Sequence, residues 1–198
     1  MINTIIFDIG NVLMNFDYHP FIKKLLKDDE VIEHVNNAMW FTGLWNELDR
    51  GMNTDLILQK MIDAEPDYED EIRLTFESVG FCIKKVDYAI PWIKDLKARG
   101  YRVLFLSNYA EHTMYANARA LDFLPYMDGG VFSCDEGVTK PDPKIYMTII
   151  ERFGLNPAEC VFLDDSKVNL LTAKAFGMKV IHFKDYESAK NQLEEMLL

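Results

Sequence analysis

Asp8 ends the β-branched and aromatic run Thr4-Ile5-Ile6-Phe7 and is followed by the turn-forming pair Gly10-Asn11. A run of that kind predicts a buried strand. A carboxylate at the carboxyl end of such a strand stands where open α/β sheets place their ligands. The Gly-Asn turn can gather backbone N–H groups around an anion such as phosphate. Three further polar groups follow comparable stretches: Ser107-Asn108, Lys140 and the pair Asp164-Asp165. Singly, each has an ordinary reading, Asp8 or Ser107-Asn108 as a helix cap and Lys140 as a solvated side chain. Two adjacent acids repel unless a cation or a lysine stands nearby, and four such placements favour one shared site. Its chemistry would be phosphoryl transfer. Asp8 would attack phosphorus and form an aspartyl-phosphate. A hard divalent cation, Mg²⁺ by preference, would sit on Asp8, Asp165 and a backbone carbonyl. Ser107 and Asn108 would hydrogen-bond phosphoryl oxygens, while Lys140 would offset the negative charge and keep Asp8 ionised.

Those groups meet only if the elements that carry them form one parallel sheet. From Pro91 the chain alternates strictly between helix and strand. The pattern predicts a helix from Trp92 to Arg99, a strand over Arg102–Leu106, and a helix from Ala110 to Leu121. A short strand over Val131–Ser133 follows. Asp142 then caps a helix with Pro143 in its first turn, ending at Gly154. Strands at Cys160–Leu163 and Lys179–Phe183 flank another helix, and Glu187–Leu198 closes the chain. This order implies α/β architecture, a Rossmann-like parallel core with right-handed crossovers. Between Pro20 and Gly80 the apolar period is helical throughout, which predicts an inserted helical cap. The expected division is a core of 1–14 and 89–198 with a cap of 15–88.

Composition narrows the partners. The 198 residues are 49% hydrophobic and 27% charged, with a net charge of −11. That balance argues against nucleic acid or an anionic membrane as partner and leaves a small molecule. The three cysteines, Cys82, Cys134 and Cys160, lack metal-ligand spacing and suit reduced thiols. With neither a basic leader nor an apolar run of spanning length, the expectation is a cytoplasmic protein.

The stretches FDIGNVL, LFLSN, KPDPKIY and VFLDDSKVN, in this order, resemble the four motifs of the haloacid dehalogenase superfamily. More narrowly they are similar to its helical-cap phosphatase branch, including the bacterial sugar-phosphate phosphatases similar to α-D-glucose-1-phosphate phosphatase. The resemblance implies a Mg²⁺-dependent phosphatase for a small phosphate ester. In it Asp8 is the nucleophile and Lys140 balances charge. It makes Ser107 and Asn108 phosphate ligands, and the residues themselves add the turn at Asn11 and the charge of Lys140 to the expected phosphate site. Asp8, Asp165 and the Gly10 carbonyl hold the metal, with Asp164 as an indirect partner. One position departs from the family. Most phosphatases of this superfamily carry an acid/base aspartate two residues after the nucleophile, and this chain has Gly10 there. Losing such a group costs about 10²–10⁴-fold, so the sequence predicts slow breakdown of the aspartyl-phosphate and a burst of the first product. Asp17 is an ordinary acid before a helix or a helper through water.

Two other readings compete. A 2-haloacid dehalogenase would use Asp8 on carbon without metal, but that family has an aromatic residue where Gly10 stands and lacks the acid pair. A non-catalytic binding protein of the same fold would explain Gly10 but not the rest. In the cap, Trp40, Phe41, Leu44, Trp45 and Leu48 are expected on one helical face as core. Arg50 and Glu47 near that helix end, and Tyr109 and His112 after the phosphate motif, are candidates for substrate contact.

Overall fold

The computed structural model describes residues 1–198. The apolar run forms β1 (Thr4–Phe7), and the chain then makes β2 (Met14–Phe16) before entering a group of helices. These are α1 (Tyr18–Leu26), α2 (Asp29–Asn36), α3 (Leu44–Asp49), α4 (Thr54–Ala64) and α5 (Glu69–Ser78). The return runs through β3 (Ile83–Lys85), which pairs antiparallel with β2. Helix and strand then alternate: α6 (Ala89–Ala98), β4 (Arg102–Ser107), α7 (Glu111–Ala116), β5 (Gly129–Phe132), α8 (Ser133–Glu136) and α9 (Pro143–Phe153). Last come β6 (Cys160–Asp164), α10 (Lys167–Ala175), β7 (Lys179–His182) and α11 (Tyr186–Leu197).

The main sheet is parallel, in the order β5-β4-β1-β6-β7. β1 is therefore central, and the chain builds outward from it first on one side and then on the other. Phe7 is in register with Phe105 on β4 and with Leu163 on β6. The residues that follow them emerge together at the switch in strand order, where this architecture opens a crevice.

Alternation along the strands sets the two faces. Ile5, Phe7, Val103 and Val161 pack with Trp92, Ile93 and Leu193 on one side. Ile6, Leu104 and Phe162 pack with Ile145, Tyr146 and Ile149 on the other. The inserted helices gather a third apolar cluster, including Ile22, Val35, Met39, Met61 and Phe76. No helix is long and apolar enough to cross a membrane.

Three local expectations are corrected. The helix expected over 110–121 stops at Ala116, since Asn117 leaves helical geometry and its amide donates to the carbonyls of Gly80 and Ile83. Tertiary hydrogen bonds outweigh helix continuation there. The aromatic stripe is not one face: a π-helical turn over Asn37–Phe41 and the left-handed Gly43 separate Trp40 and Phe41 from α3, and Phe41 is 78% exposed. Trp40 and Trp45 still meet, with ring centroids 4.3 Å apart. The expected strand residue Ser133 instead opens the short helix α8.

Candidate active site

Asp8 leaves the end of β1 buried, and its Oδ1 accepts from the Ile9 N–H at 2.7 Å and lies 2.8 Å from Lys140 Nζ. Oδ2 has no protein partner. Lys140 reaches this point because Asn108 holds its backbone from both sides. Asn108 Oδ1 accepts from Lys140 N at 2.7 Å, and Asn108 Nδ2 donates to Lys140 O at 3.0 Å. The same ammonium donates to Asp164 Oδ2 at 2.7 Å. Asp164 also accepts from Ser166 N and from Asn169 Nδ2, so both its oxygens are occupied. Asp165 turns the other way and accepts from Asn11 Nδ2 at 3.1 Å. Asn11 takes the left-handed conformation, with φ 56°, which asparagine tolerates better than most residues. Its Oδ1 accepts from Phe16 N.

One carboxylate oxygen from each of Asp8, Asp164 and Asp165 falls within 4.8 Å of the others. Such an all-oxygen donor set suits a hard divalent cation. Burial pushes the Asp8 carboxyl up to about 7, against the pull of Lys140 and with further upward pressure from Asp164. Burial works against the Lys140 charge, but Asp8 and Asp164 outweigh it and raise its pKa. Burial also raises Asp165, with the Asn11 hydrogen bond opposing. Two carboxylates converge on one buried ammonium, and a divalent cation bound beside them would offset their remaining negative charge.

A cleft of about 270 Å³ opens over Asp8. Asn11, Asn108, Lys140 and Asp165 line its polar end, while Met14, Phe16, Trp45 and Ile83 line an apolar wall. Of the sequence candidates, Ser107 is fully buried outside this lining, with its hydroxyl 3.4 Å from the Asn108 carbonyl oxygen. Tyr109 lines the cleft. His112 does not: it stacks on Phe76 and meets the Phe76 carbonyl at 2.9 Å. Arg50 and Glu47 pair with each other away from the cleft. Asp17 pairs with Lys84 at 2.7 Å.

Among the lining residues that sequence reasoning did not single out, Asn169 and Asp49 bear most on the chemistry. Asn169, five positions after Asp164 on the first turn of α10, fixes that carboxylate. Asp49, the last residue of α3, brings a third acid to the cleft beside Asp8 and Asp165. Spacing within VFLDDSKVN could have flagged the first, but no local signal distinguishes the second.

The segment carrying Asp49 is held down by backbone contacts. Ser133 Oγ donates to the Asp49 carbonyl at 2.5 Å and accepts from Tyr109 N at 3.0 Å. Gly51, at φ +76°, lies so close that an added Cβ would stand 2.2 Å from the Cys134 carbonyl oxygen. Both the left-handed backbone and the clash oppose any side chain. Gly51→Ala is therefore expected to cost about 2 kcal/mol or more in urea unfolding; a change below about 0.5 kcal/mol would mean that the turn is not clamped.

A parallel α/β core, a helical insertion after the first strand and acids at the switch point define a hydrolase of one superfamily. The haloacid dehalogenase-like hydrolase family model matches residues 2–177, and the chain belongs to that family. A sesquiterpene phosphatase of Aspergillus oryzae is 24% identical over 194 residues, 97% of this chain and 95% of the relative. Mouse acyl-CoA dehydrogenase family member 10 is 34% identical over 105 residues, 53% of this chain but only 10% of the relative. Among solved structures, a haloacid dehalogenase-family enzyme of Bacteroides thetaiotaomicron, in complex with magnesium and inorganic phosphate, superposes with a TM-score of 0.76. It is 19% identical, with 95% of this chain and 98% of that one covered.

Proposed function

We propose that this protein is a Mg²⁺-dependent phosphatase that hydrolyses a small phosphate ester, with a sugar phosphate as the first candidate, through an aspartyl-phosphate on Asp8. The observation that carries the reading is the buried array of Asp8, Lys140 and Asp164, with Asp165 beside it and Oδ2 of Asp8 free. Oδ2 attacks phosphorus, and Lys140 holds Oδ1 so that the nucleophile is oriented. Asn108 and Asn11 line the cleft and are the candidates for phosphate contact, with Asn108 also fixing Lys140, whereas Ser107 is buried outside the lining. Asp8, Asp165 and the Gly10 carbonyl hold the cation, and Asp164 steadies the array through Lys140. When bound, Mg²⁺ supplies positive charge against the phosphoryl oxygens.

The apolar wall of Met14, Phe16, Trp45 and Ile83 supports a second candidate, an ester whose organic part is isoprenoid or aromatic rather than a sugar. The Aspergillus relative's name points the same way. A turnover screen over sugar, isoprenoid and aryl monophosphates, with and without Mg²⁺, tests the reading. Activity confined to 2-haloacids and indifferent to metal would replace it with a dehalogenase.

Metal removal supplies an independent measure. Mg²⁺ about a hundredfold above its Kd should stabilise the fold by about 2.7 kcal/mol, seen as a higher Tm than in EDTA. Identical melts would remove the cation from the account.

A further inference from the structure

The family's usual acid/base position is Gly10, and a Cβ built there meets nothing within 4 Å. The space beside the nucleophile is thus left open on the core side. Asp49 faces the same cleft from the inserted helices. Its carboxylate accepts no hydrogen bond and forms no ion pair, although Arg50 is its neighbour, because Arg50 is turned to Glu47. Its backbone is the part that Ser133 holds, so the side chain is left free while its origin is fixed to the core. We infer that Asp49 is the general acid and base of this enzyme, supplied from the cap in place of the residue missing at Gly10. The inference rests on the phosphatase reading.

The proton balance is complete with no other reactant than water. As Asp8 Oδ2 bonds to phosphorus and the ester P–O bond breaks, the Asp49 carboxylic acid gives its proton to the departing alkoxide. The resulting Asp49 carboxylate then takes a proton from water. The water oxygen bonds to phosphorus, the P–O bond to Asp8 breaks, and phosphate leaves with both carboxyl groups restored. Burial pushes Asp49 up to about 7, with Lys140 opposing and Asp8 reinforcing, so acid and base forms are both accessible near neutral pH. The burst expected from Gly10 alone should therefore be absent from the wild-type protein.

The test is pre-steady-state hydrolysis of p-nitrophenyl phosphate in Mg²⁺ by the wild type and by Asp49→Asn, which keeps the backbone clamp. A good leaving group needs no acid, so Asp49→Asn should release about one equivalent of p-nitrophenol per site and then turn over about 10²–10⁴-fold more slowly. Acid-quenched variant should carry one phosphoryl group by intact mass, and wild type none. Adding Gly10→Asp to the Asp49→Asn variant should recover turnover, a rescue that a merely structural role for Asp49 would not produce. Wild-type Tm in Asp49→Asn, together with turnover within about threefold of wild type, overturns the assignment. Slow turnover with neither burst nor phosphoenzyme overturns it too, because the defect then precedes the second step. Failure of the wild type to hydrolyse any phosphate ester would instead remove the phosphatase reading itself.

Discussion

Asp8→Asn should lower phosphate-ester hydrolysis on the order of 10⁶-fold, to background, while leaving a folded protein. The amide keeps the shape of the carboxylate, so the end of β1 and its Ile9 N–H contact remain close to their present geometry. What is lost is the nucleophile, since an amide oxygen does not form the acyl phosphate, and one charge of the cation site. Lys140 keeps Asp164 as a partner, which protects the fold. Steady-state turnover and a thermal melt decide the matter together. A folded variant with measurable activity above about one part in a thousand would assign the chemistry to another residue.

Lys140→Met should produce the largest loss of stability, about 3–5 kcal/mol. The ammonium is buried between Asp8 and Asp164, at 2.8 and 2.7 Å, with 1% of its side chain exposed. Methionine fills comparable space, so the penalty comes from two buried carboxylates left without compensation rather than from a void. In a chain of this length that corresponds to a Tm lower by roughly 10 °C. Mg²⁺ should recover part of the loss, because the cation neutralises the same carboxylates. A loss below about 1 kcal/mol in EDTA would show that Asp8 sheds its charge when the lysine is absent, and that the lysine is there for chemistry alone.

The core is legible in the sequence because its strands are continuous apolar runs that end abruptly in polar residues. β1, β4 and β6 fall where β-branched and aromatic composition predicts them, and Asp142 caps α9 by accepting from Lys144 N. α6 begins at Ala89 rather than at Trp92, since Pro91 is tolerated in a first turn. The ribbon of β2 and β3 has no readable period at three residues each. The site divides along the same line. Residues at strand ends announce themselves, and so Asp8, Asp164 and Asp165 are readable from sequence, whereas Lys140 stands in the loop between α8 and α9 and is readable only from its KPDPKIY stretch. Asp49 is not readable, because its place depends on how the inserted helices lie over the sheet. In sequence it is one acid among several at the end of a helix. Arg50 and His112 fail for the converse reason, because their partners Glu47 and Phe76 take them up elsewhere.

The central place of β1 also bears on how the protein is made. Thr4 pairs with Arg102 on one side and with Cys160 on the other, so β1 is flanked by two strands that are translated much later than it is. At about 5–20 residues per second, the uncharged Thr4–Phe7 segment waits on the order of ten seconds or longer for its second neighbour. Pairings this distant in sequence also slow refolding. Until β6 is synthesised, both the catalytic array and the protection of an aggregation-prone strand are incomplete. Truncation before Cys160 would therefore leave a chain prone to self-association, rather than a smaller version of the same fold.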